Sequence, residues 1–364
     1  MYFGFSVRNL ICLVVFTSSL SAQTVNKEWL VVTNNKTGQV RVLDAAHLSL
    51  LESYSVGPIE GAVLGNNGRL YYVNADDLVS VLDLETGQRI ALVKPESRLL
   101  HTPFDRPAHV VSPDNRFLVL AHHDSPGNVA EVGTFSLSVL EAETGRVRFR
   151  IPSEEEQVRT SDAAACLIPQ ILFSPNETRV YELCLWGGAY PLKPAPVLRV
   201  VDLAKRTFSG KLGLPRSHVA ALTPDGQRLY ILSEKADLLV VDTTTLKVID
   251  TWSLSGLGGP ICIRFGARMI VAPNSQQLYF TDGRHNAMTV YAIPARSNRS
   301  VSRLDIKEAI EDVVTSTNGD RLYLLTNRNL ICLDTADWRE LARVEMDAVS
   351  PRRSFLWIVP VKSP

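Results

Sequence analysis

The stretch His218–Leu254, HVAALTPDGQRLYILSEKADLLVVDTTTLKVIDTWSL, decides the fold. It parses as four short strands: VAAL, RLYILS, LLVVD and KVIDTWSL. A TPDG turn follows the first strand and a Thr-rich turn precedes the last. Each run is rich in Val, Ile, Leu and Tyr, with turn formers at the joints. Four antiparallel strands have two faces and two edges, so a single copy cannot bury its own apolar surface. It needs neighbours of its own kind.

The chain supplies them. The second strand recurs as LVVTNN from Leu30, LYYVNA from Leu70, FLVLAH from Phe117, VYELCL from Val180, LYFTDG from Leu278 and LYLLTN from Leu322. The third strand closes on an acid at Asp44, Asp83, Glu141, Asp202, Asp242 and Asp334, and in the sixth copy Pro294 stands in its place. A four-stranded repeat of roughly 40 to 50 residues predicts radially arranged blades. Seven copies are present, so the fold class is all-β: a seven-bladed β-propeller.

Order along the chain adds detail. Arg8, the apolar run from Leu10 and the small residues before Gln23 read as an export signal over residues 1–22, which leaves one propeller domain over 23–364. The apolar run is too short to span a bilayer, so the mature chain is expected to lack a transmembrane segment. The first copy lacks an inner strand, and an extra piece, DAVSPRRSFLWIVPV, follows the seventh. Pairing between the two ends would close the ring and remove two free sheet edges. Either DAVS or FLWIVPV is the inner strand.

Lys plus Arg equals Asp plus Glu at 38 each, which gives no electrostatic footprint for nucleic acid. No P-loop, dinucleotide fingerprint, HExxH or nucleophile elbow occurs, C-x-x-C-H is absent, and no cofactor is expected. Cys166 and Cys184 flank the first two strands of copy four. In an exported protein they are candidates for a disulfide, the alternative being buried free thiols.

Three groups of residues are candidates for function. In a propeller the first strands line the central channel. Glu60, His218, Glu311 and, less regularly, Glu345 fall at one opening position of their copies, with Arg106, His109, Arg216 and Arg268 close by. Such a ring can bind a polar ligand, do acid–base chemistry, or simply neutralise itself as a solvated lining. His122, His123 and Asp124 form a second group; adjacent strand residues point to opposite faces, so regular structure there would not give one metal site. The third is the pair of long second-to-third connections, His122–Thr134 and Trp186–Pro196, which bring Trp186 and Tyr190 beside His122 and His123 on one rim. The acids closing the third strands are expected to cap hairpin turns instead.

The LYYVN, RLYILS and LYLLTN strands, the NNG, SPD and TPDG turns before them and the DLETG after one of them resemble the YVTN-type propeller repeat of exported bacterial and archaeal proteins. The resemblance covers Trp29 to Val361. It implies a periplasmic or extracellular location. It also implies similarity to surface-layer propellers, to lactonase-type propellers and to the large subunits of periplasmic quinoprotein amine dehydrogenases. The reading that follows is a monomeric, non-catalytic scaffold that binds a protein or a glycan through one rim or the channel. The alternatives are a lactonase-like hydrolase using Glu, His and Arg at the channel mouth, or a docking subunit of a redox complex.

Overall fold

The computed structural model describes residues 27–94, 109–123, 135–151, 169–184, 196–254, 267–282, 288–296, 300–346 and 354–361. They form seven four-stranded antiparallel sheets, and the inner strand of each lies beside that of the next. This is the expected seven-bladed propeller. Among the described residues no helix is long and apolar enough to cross a membrane.

Blade 1 closes the ring. Ser354–Pro360 pairs antiparallel with Glu28–Asn34, from Asn34 opposite Ser354 to Glu28 opposite Pro360. The inner strand is therefore FLWIVP, and DAVS at 347–350 lies outside the described residues. The order in that sheet is one C-terminal strand followed by three N-terminal ones.

Burial follows position within a blade. Second and third strands such as Arg69–Asn74 and Asp237–Asp242 are buried except at their ends, because both of their faces meet a neighbouring blade. Fourth strands such as Leu50–Ser55 stand at the outer edge and are mostly exposed. The core consists of interblade layers: Tyr181 and Leu183 of blade 4, for example, pack against Ala220, Leu229 and Ile231 of blade 5. That arrangement is why the chain can be long without one large core.

The acids that close the third strands cap turns. Asp83 accepts from the backbone N–H groups of Glu85 and Thr86 at 3.1 and 3.0 Å, and Asp242 accepts from Thr244 and Thr245 at 3.1 and 2.7 Å. Four residues beyond the acid the backbone turns left-handed, at Gly87 and Gly145 with φ of 69° and 70°. Leu48, Arg206, Leu246 and Trp338 hold that conformation in other blades, where a β-carbon makes it costly.

Candidate channel and rim site

The inner strands carry a shared irregularity. In blades 2, 5 and 7 the register between first and second strands skips one residue, and the skipped residues are Glu60, His218 and Glu311. Each is the extra residue of a β-bulge, a device that re-aims a side chain. Glu60 is exposed and Glu311 half-buried. Glu345 does not share this position: it ends an outer strand, Glu340–Glu345, opposite Asn329, because the seventh copy finishes there and the closing inner strand starts later.

Below the bulges the channel wall is apolar. A cavity of about 410 Å³ lies against Leu172, Leu222, Ile270 and Val314, with Gln170, Arg268 and Asp312 also in its wall. These three polar groups are engaged by neighbouring blades. The Gln170 amide donates to Ala220 O at 2.8 Å and accepts from Ala220 N–H at 2.9 Å, which extends strand pairing from blade 4 to blade 5. Arg268 of blade 6 places Nε 3.2 Å from Asp312 Oδ1 of blade 7, and Asp312 Oδ2 accepts from the Leu356 N–H of blade 1 at 3.0 Å. The Arg268 guanidinium also lies 5.5 Å from the centre of the Phe355 ring. Groups committed this way hold the wall together.

The remaining candidates are spread around the ring. Arg216 sits 3.7 Å from Glu234 of its own blade, while Glu60 stands on blade 2, across the ring from blade 5. His109 begins the inner strand of blade 3 and is 8% exposed. His122 and His123 end the second strand of blade 3, opposite Ser136 and Phe135. Cys184 ends the second strand of blade 4, opposite Pro169. Arg106, Asp124, Cys166, Trp186 and Tyr190 lie outside the described residues.

Sequence reading passed over Gln170, Asp312 and a buried ion pair, Glu182–Arg199. The last joins paired positions of blade 4 at 2.7 Å, with both side chains at most 5% exposed. It stands near the ends of the strands that the 185–196 connection joins.

The two faces of the ring differ. Antiparallel blades send second-to-third and fourth-to-first connections to one face, and first-to-second and third-to-fourth connections to the other. All six connections of eight residues or more between the described strands, at 94–108, 124–134, 152–168, 185–196, 254–268 and 346–353, attach to the first face. The opposite face carries short turns tied blade to blade. Asn66 Nδ2 donates to Pro113 O at 3.0 Å, Arg116 Nη2 to Glu177 Oε2 at 3.1 Å, and Thr317 N–H to Glu28 Oε1 at 2.8 Å. Gly226 approaches Pro175 so closely that a β-carbon there would meet its ring at 2.7 Å.

No family model and no curated protein matches the sequence. Among solved structures the chain is similar to a dihydro-heme d1 dehydrogenase, NirN, in complex with DHE, with a TM-score of 0.57 and 14% identity over 90% of this chain and 74% of that one. It is also similar to the hydrazine synthase of Kuenenia stuttgartiensis, with a TM-score of 0.52 and 14% identity over 79% of this chain and 86% of that one. At that identity the likeness is one of fold.

Proposed function

We propose that this chain is an exported YVTN-type propeller that acts as a binding scaffold, meeting a protein or glycan partner on the face that carries its long connections. The observation behind this reading is the asymmetry of the ring. One face has short turns fastened to one another, and the other receives all the long connections. Variable segments on a rigid frame are how scaffolds present recognition surfaces. The channel supports catalysis less well, since Gln170, Arg268 and Asp312 are occupied by neighbouring blades.

The test is to shorten 124–134 and 185–196 together to a three-residue connection like 234–236 of blade 5. Chemical cross-linking in the native envelope should then lose the partners captured by the unaltered chain, with the melting temperature unchanged. Partners retained by a folded shortened chain refute the rim. Export is checked separately: the mature protein from its native host should begin at Gln23, and a chain that keeps residues 1–22 in the cytoplasm refutes it.

A further inference from the structure

The short-turn face repeats one interblade contact. At three junctions the residue after a third strand offers its carbonyl to a tyrosine of the blade before it. Tyr323 of blade 7 donates to Ala45 O of blade 1 at 3.0 Å, and Tyr230 of blade 5 donates to Ala295 O of blade 6. Blade 1 has Val31 where these tyrosines stand, and there Tyr54 of its outer strand donates to Leu84 O of blade 2 at 2.9 Å.

At the junction between blades 4 and 5 an arginine takes the tyrosine's place. The equivalent carbonyl, Thr243 O, accepts from Arg179 Nη1 at 3.0 Å. Tyr181, the counterpart of Tyr230 and Tyr323, is 2% exposed, and among the described residues nothing pairs with its hydroxyl. Tyr181 instead borders a cleft of about 260 Å³, whose walls include Asn176, Thr178 and Arg179 on blade 4 and Asp225 and Thr244 on blade 5.

We propose that this cleft binds a single acidic sugar unit, a uronate, as a site separate from the rim of long connections. The volume lies below the roughly 300–1,000 Å³ of drug-sized pockets, which selects a monosaccharide-sized ligand. Arg179 keeps N–H donors beyond the one given to Thr243, and with the Tyr181 hydroxyl it can hold a carboxylate on the blade 4 wall. Asp225 accepts from Thr223 Oγ1 at 2.5 Å and from Gln227 N–H at 3.0 Å, contacts that keep its carboxyl below the usual carboxylate range. On the opposite wall it is therefore an acceptor for sugar hydroxyls. A donor wall facing an acceptor wall gives the ligand a direction: acid toward blade 4, hydroxyls toward blade 5.

Isothermal titration of the full chain with glucuronate, with glucose as the control, tests this. Glucuronate should bind saturably and glucose at least tenfold more weakly. Tyr181→Phe removes one hydroxyl and leaves the ring in place, and it should weaken glucuronate about tenfold, as loss of a charge-assisted hydrogen bond does. Arg179→Gln should abolish binding, and its melting curve reports whether the Thr243 contact was needed for folding. No glucuronate binding, glucose bound equally well, or a folded Tyr181→Phe chain with unchanged affinity overturns the proposal. Shortening 124–134 and 185–196 should leave glucuronate binding intact, so failure of the rim reading and failure of this one are distinguishable.

Discussion

Tyr323 shows what a single side chain contributes to a ring of blades. Its hydroxyl crosses to Ala45 O and its ring fills the interblade layer, so it serves as fastener and as core. Tyr323→Phe should lose about 1–2 kcal/mol, the cost of leaving a buried carbonyl unpaired, seen as a lower melting temperature with an unchanged circular dichroism spectrum. The recurrence of tyrosine in the second strands is visible in the sequence; the substitution of Tyr54 for it in blade 1 is not, because the replacement comes from a different strand. The turn acids were legible as caps, since an acid followed four residues later by glycine names its own hairpin. Their chemistry adds a pH dependence. Arg146 and Thr144 hold the Glu141 carboxyl down at about 2. Thr245 lowers Asp242, and the Lys205 N–H lowers Asp202. For Asp83 partial burial pushes the other way and is outweighed by hydrogen bonds from Thr86 and Glu85. A carboxyl with a depressed folded value stabilises above its unfolded value and ceases to as pH falls through the folded one. Stability should therefore decline from about pH 4.5, near the ordinary carboxylate value, toward about pH 2. Glu141→Gln should flatten part of that decline in thermal melts; an identical pH profile would show that the cap is not coupled to folding.

The inner strand is the element where reading and structure part most. The inner strand of blade 5 was legible as VAAL, while for the closing one DAVS and FLWIVPV competed. The answer depended on register with Glu28–Asn34, which no local pattern encodes. The bulge explains why Asp312 was passed over. In IEDVV the reading singled out Glu311, yet the register skips that residue, and Asp312 is the one that reaches Arg268 and the Leu356 N–H. Gln170 was passed over because one polar residue in PQILF looks like an edge, whereas its amide copies a backbone pairing. Glu182 and Arg199 were hidden by the long connection that separates their strands. The Arg268–Asp312 contact makes a definite demand on energetics. Asp312→Ala leaves a guanidinium that is 6% exposed without its carboxylate, so a loss of about 3–5 kcal/mol is expected, against a smaller loss for Arg268→Met combined with Asp312→Leu. Urea melts of both variants decide it: equal losses would mean that packing against Phe355, and not charge, sets the cost.

At the scale of the molecule, a ring differs from a row of blades in having no ends, and one strand makes that difference. Ser354–Pro360 gives blade 1 its inner strand, and its side chains reach into both neighbouring layers. Phe355, Leu356 and Val359 are 6%, 2% and 2% exposed. At about 1.5–3 kcal/mol for each fully buried side chain, these three alone amount to roughly 5–9 kcal/mol. A folded domain is stable by only about 5–15 kcal/mol in total. Removing the strand also strips Asp312 of its Leu356 donor and leaves Glu28–Asn34 as an unpaired edge facing the channel. Deleting 347–364 should therefore remove most of the stability of the whole ring. Because each blade is covered only by its neighbours, the loss should spread from the opened seam through blades 1, 2 and 7. Hydrogen exchange followed by mass spectrometry should show fast exchange there first, and thermal melting should become broad. A truncated chain that melts in one sharp transition at the full-length temperature would show that six complete blades hold the ring unaided.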